Sequence, residues 1–167
     1  MVLGMSLQTF TLVHTVLSLI GIGTGLIVAW GMLTGNRFEG WTAVFLLTTV
    51  LTSATGFLFP VPFSPLLPSQ IFGFVSLAVL LLTLLALYVF KLAGFWRWVY
   101  VGTALLALYL NVFVAVVQAF LKIGFLQALA PTQTEPPFLV AQGVVFVLFC
   151  ALGVIAAMRS QSETVEA

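Results

Sequence analysis

Aspartate is absent from this chain, and one histidine and one cysteine are its only imidazole and thiol. That inventory removes most site chemistry at once. A cluster of Cys and His around a metal is excluded, as is haem held by two histidines. Of the four glutamates, Glu39, Glu135, Glu163 and Glu166, only Glu135 is expected near His14. His14 with Glu135 is thus the one acid/base pair available. Nothing supplies a nucleophile or an electrophile beside it, so an intramembrane enzyme is the weakest of the functional readings. A single-His haem, or His14 with Met5, is a weak cofactor arrangement, and no cofactor is specified. The other candidates are neutral: Thr52, Thr55, Ser76, Asn111, Gln118 and Gln142. Amides and hydroxyls inside apolar runs suit a small neutral or lipid-soluble ligand, such as a quinone, better than a bare ion. The plain alternative for each is structural. Hydroxyls bond their own i−4 carbonyl, and amides tie helices together for about 0.6–2 kcal/mol.

The medium that holds these residues is set by composition. Hydrophobic residues make up 62% of the 167 and charged residues 5%. Soluble domains carry about a quarter charged residues, so the partner of this surface is a lipid bilayer. A net charge of +1 gives no footprint for nucleic acid. The opening MVLGMSLQTF lacks a cationic region, so the first apolar run is expected to be a retained helix. Residues 1–159 read as one transmembrane domain and 160–167 as a polar, frayed tail.

Five apolar runs have spanning length. The first, about Leu7 to Leu33, ends at Thr34-Gly35-Asn36-Arg37. The second, about Trp41 to Phe59, ends at Pro60, and Pro62, Pro65 and Pro68 keep the next loop non-helical. Ser69 is the expected N-cap of the third, Gln70 to Phe90. After a Lys91–Gly94 turn comes the fourth, from Arg97 to Lys122, extended as far as Leu129. Pro131, Pro136 and Pro137 precede the fifth, Phe138 to Met158.

In the fourth run Arg97, Tyr100, Ala104, Ala107, Asn111, Ala115, Gln118 and Lys122 recur at steps of three or four. On a helix they form one small and polar stripe, expected to face neighbouring helices. Gly21-x-x-x-Gly25 and Gly31-x-x-x-Gly35 fit close packing of the first helix.

Arg37, Lys91, Arg97 and Arg159 fall on one side of such a bundle and Lys122 on the other. The cation-rich side is expected to be cytoplasmic, with the N-terminus outside and the C-terminus inside. Trp30, Trp41, Trp96 and Trp98 would then belt the cytoplasmic face. The same topology gathers His14, Thr52, Thr55, Ser76, Asn111, Gln118 and Gln142 in the outer half, with Glu135 at the rim. The expected fold is an all-α bundle of five transmembrane helices. The expected function is binding or transport of a small ligand in an outer-half polar pocket. The competing reading is a structural or accessory subunit, joined to itself or to another membrane protein, whose polar stripes are helix contacts.

Four stretches carry a family resemblance: Thr52-Ser-Ala-Thr-Gly-Phe57 through Pro60, Phe95-Trp-Arg-Trp-Val-Tyr100, Tyr109-Leu-Asn-Val-Phe113 with Gln118, and Ala130 through Phe138. With them the chain resembles a family of small uncharacterised bacterial inner-membrane proteins. The resemblance implies a bacterial inner-membrane location and no substrate, cofactor or catalytic residue.

Overall fold

The computed structural model describes residues 1–65 and 67–165, with side chains through Ser160. Helices carry the fold: α1 (Leu7–Thr34), α2 (Glu39–Gly56), α3 (Pro68–Leu84), α4 (Trp96–Lys122), α5 (Gly124–Leu129) and α6 (Pro136–Val165). Their ends follow from local chemistry. The Ser6 hydroxyl accepts the Thr9 N–H at 3.1 Å and opens α1. Gly35, at φ 73°, closes it by returning its N–H to the Gly31 carbonyl. The second proposed packing glycine of that pair is therefore a helix stop. Gly31 itself is packed, since a Cβ there would lie 2.6 Å from the Asn36 carbonyl oxygen.

The third helix starts at Pro68, before the expected Ser69 cap. Gln70 explains the shift. Its side-chain oxygen accepts the Leu67 N–H at 2.9 Å, and its amide nitrogen donates to the Pro62 carbonyl at 3.1 Å. One buried glutamine thus starts the helix and ties down the proline loop, of which Leu66 lies outside the described residues. At its far end α3 widens into a π-helical turn, Leu85–Val89. Ile123 adopts an extended conformation and ends α4, so the Leu129 extension is the separate helix α5. Pro136 and Pro137 open α6, where their missing N–H groups cost nothing. That helix continues to Val165 and takes in most of the segment read as a tail; residues 166–167 lie outside the described residues.

Among the described residues four helices are long and apolar enough to cross a membrane: α1, α3 with its π turn, α4, and α6 over Pro136–Ser160. The 18-residue α2 falls outside that set. Glu39 and the threonines at 42, 48, 49, 52 and 55 lower its hydropathy, and its neighbours take up the polar face. Thr42, Phe45, Leu46, Thr48 and Thr49 are all buried, where α2 packs on α1 and α3.

At the centre is α4, packed on α1, α3 and α6. Tyr100, Ala104, Ala107 and Asn111 of its stripe are buried. Tyr100, Ala104 and Ala107 join a core with Val28 and Ala29 of α1, Phe45 of α2, Leu80 of α3 and Ala156 of α6. The stripe fails beyond Ala115: Gln118 and Lys122 are exposed. Phe120 is buried there with Ala130 and Phe138, flanked by Val116 and Val117. Gln118 stands two residues from Val116 and from Phe120, roughly 200° round the helix from each, and is turned outward.

Candidate functional site

Six of the eight anticipated residues are at least partly buried within the helices; five of them take part in four separate side-chain hydrogen bonds between helices, and the Thr52 hydroxyl in none. His14 of α1 pairs with Thr55 of α2, Nδ1 to Oγ1, at 2.9 Å. The Thr55 hydroxyl already donates to the Leu51 carbonyl at 2.7 Å. Its single proton is committed, so Nδ1–H of His14 is the donor and Nε2 keeps the lone pair. The ring stands edge-on to Phe59, centroids 5.2 Å apart. One turn on, the Ser18 hydroxyl donates to the Asn111 Oδ1 at 2.8 Å and joins α1 to α4. Gly21 lets this group close up: a Cβ there would lie 3.0 to 3.2 Å from the Thr49 hydroxyl, the Asn111 amide nitrogen and the Thr48 hydroxyl.

Ser53 and Ser76 bond each other at 2.8 Å between α2 and α3. The Gln142 amide donates to the Phe113 carbonyl at 3.2 Å between α6 and α4. Buried oxygens on Thr49, Thr52 and Gln142 have no hydrogen-bond partner. The two threonine hydroxyls leave a donor and an acceptor unpaired and the Gln142 oxygen an acceptor, as in helix contacts with imperfect geometry.

Glu135 and Gln118 stand apart from these contacts. The Glu135 carboxylate accepts the Thr132 N–H at 3.1 Å, the Thr132 hydroxyl at 2.8 Å and the Thr134 N–H at 3.1 Å. Desolvation works to raise its pKa, but those donors prevail and hold it below the ordinary carboxyl value. Among the described residues no contact joins it to His14 or to Lys122, so the acid/base pair is not assembled. The exposed Gln118 belongs to no polar cluster.

A cavity lies at the opposite end of the bundle, with a volume of about 460 Å³. That is within the range of roughly 300–1,000 Å³ usual for small-molecule sites. It takes residues from the end of α1, the start of α2, the π turn, the start of α4 and the end of α6. Helices that alternate in direction place those termini together. Val28, Met32, Leu87, Leu92, Val101 and Ala156 give it apolar walls. Arg37, Lys91 and Arg97 bring three cations, and Glu39 brings one carboxylate.

Local backbone geometry shapes this wall. The π turn carries Leu87 and Tyr88 to the cavity, and a wide turn of that kind is frequent at functional positions. Lys91 and Leu92 follow at φ 49° and 59°, two successive non-glycine residues in the left-handed region. Such residues are held only where the surroundings fix them. Phe90 stacked on Trp96, centroids 3.7 Å apart, helps to do so.

In the sequence Arg37 and Lys91 point only to orientation, and Arg97 to orientation and to the stripe of α4. A signal was there: three cations, Tyr88, Tyr100 and Asn36 fall at the same ends of successive runs.

The fold and the apolar helices define a multi-pass α-helical membrane protein. Comparison with protein-family models, with curated proteins and with solved structures gives no match.

Proposed function

We propose that the protein binds a small amphiphile in the cavity at its cation-bearing end. Support comes from the cavity itself: about 460 Å³ of space with apolar walls and a charged rim. In this reading α2 is a fifth span, shielded by its neighbours, and the cation-bearing end faces the cytoplasm of a bacterial inner membrane. Native mass spectrometry from a mild detergent tests it. The wild type is expected to retain a bound small molecule, and Met32→Trp, at a half-buried position on the cavity wall, is expected to lose it with little change in melting temperature. Equal retention by a folded Met32→Trp protein would remove the cavity from the account.

We assign the polar residues at the His14 end to helix–helix contact, the role an accessory or self-associating subunit would also need. Ser18 with Asn111, Ser53 with Ser76 and His14 with Thr55 each satisfy one another across two helices. Asn111→Leu is then expected to lower stability in micelles by about 0.6–2 kcal/mol. Unchanged stability would return Asn111 to the list of ligand groups.

A further inference from the structure

We propose a second ligand site, apart from the cavity, on the face of α4 between α3 and α6. Its occupant is a lipid-soluble ring compound with a carbonyl oxygen, of the quinone class, and the group that recognises it is the Tyr109 hydroxyl. Depth is the first argument. Tyr109 is the central residue of α4, thirteen residues from Trp96 and thirteen from Lys122. It therefore lies about 20 Å from either end of the helix. The hydrocarbon core of a bilayer is about 30 Å thick, so this side chain sits near its midplane, away from water and from phospholipid ester oxygens.

The hydroxyl is the second argument. Tyr109 is half-buried, and among the described residues its hydroxyl has no hydrogen-bond partner. Its oxygen is not among those enclosed by the fold, so it reaches the surface. A phenol that faces hydrocarbon with no acceptor is costly, and tyrosine hydroxyls away from water ordinarily find one. Thr103 of the same helix satisfies itself by donating to the Val99 carbonyl at 2.6 Å. A phenol is too long and stiff to fold back on its own helix in that way.

The rings are the third argument. Phe72 of α3 stacks on Phe113 of α4, centroids 5.1 Å apart and planes 18° from parallel. Tyr109, one turn from Phe113, stands edge-on to Phe146 and Phe149 of α6 at 6.0 and 5.7 Å. Aromatic side chains thus cross α4 from α3 to α6. The same face of α4 continues through Leu106 and Gly102, at steps of three and four. Both are exposed, and a Cβ at Gly102 would meet nothing within 4 Å. A planar ring has the stacking surface for the aromatic row, its carbonyl is the acceptor for Tyr109, and its apolar tail fits the open face. An acyl chain brings neither ring nor acceptor to this depth.

The test uses the full chain in neutral maltoside micelles with two probes, decyl-1,4-benzoquinone and decylbenzene, which share ring size and tail and differ by the carbonyls. With affinities expressed as mole fraction in the micelle, the quinone is expected to bind about tenfold tighter. Tyr109→Phe keeps the ring and removes a hydroxyl that the fold does not use. It is expected to abolish that margin and to leave the ligand-free melting temperature unchanged or raised. Equal affinity for the two probes in the wild type, or a margin that survives Tyr109→Phe, overturns the proposal. A ligand-free dimer that Tyr109→Phe dissolves would make the occupant a second copy of the chain, which overturns it as well. Met32→Trp, on the wall of the cavity at the cation-bearing end, is expected to leave the margin intact. Quinone binding lost in Met32→Trp and kept in Tyr109→Phe would put the quinone in that cavity, removing this site and sparing the other.

Discussion

Gly25 shows how little space separates the helices. A Cβ at that position would lie 2.5 Å from Leu108 Cδ1 and 2.9 Å from the Phe45 ring. Those are buried core side chains with no room to withdraw. Gly23, two residues away, is exposed, and a Cβ there meets nothing within 4 Å. Gly25→Ala is expected to cost about 1–3 kcal/mol by overpacking. Gly23→Ala is expected to be neutral or to stabilise by up to about 1 kcal/mol through helix propensity. Thermal unfolding of both variants in one detergent checks the contrast, and equal effects would contradict the packing of α1 on α2 and α4. Of the two glycine pairs in the sequence, 21 and 25 pack helices as their spacing predicts. Gly35 does not, because a left-handed helix stop has the same spacing as a packing glycine.

Among the elements, the loop between α5 and α6 depends on one carboxylate. Glu135 gathers Thr132 and Thr134 and lies directly before Pro136. Gln133, at φ 60°, donates to the Val117 carbonyl at 3.0 Å and ties the same loop to α4. The folded-state pKa of Glu135 lies below its ordinary value, so its contribution is complete above the ordinary carboxyl range. It is lost as pH falls through the depressed value. Protection from hydrogen exchange over residues 131–139, taken relative to the intrinsic rate at each pH, is expected to fall on that descent, and to be low at every pH in Glu135→Ala. A wild-type rate that follows only the intrinsic pH dependence would show that the carboxylate holds nothing. Apolar length and prolines made the helices legible in the sequence, and α1, α4 and α6 start within a few residues of expectation. Three features were hidden. The start of α3 depends on Gln70 reaching Pro62, eight residues away. The π turn has no signature in Leu-Ala-Leu-Tyr-Val. The exposure of Gln118 depends on Phe120 meeting Phe138.

For the molecule as a whole, its two ends divide the roles. At the His14 end, polar groups are spent on one another across α1, α2, α3, α4 and α6. At the other end, charges and helix termini surround open space. The sequence located the polar residues but not this division. Hydrogen bonding between two particular side chains, and the absence of atoms between five helix ends, are both properties of the packed state. Photo-crosslinking with a diazirine-bearing amphiphile in nanodiscs, mapped by peptide mass spectrometry, separates the two ends directly. The account predicts adducts concentrated in residues 28–42 and 87–101 and suppressed by Met32→Trp. Adducts centred on His14 and Thr55, or spread evenly over the lipid-facing helices, would contradict it.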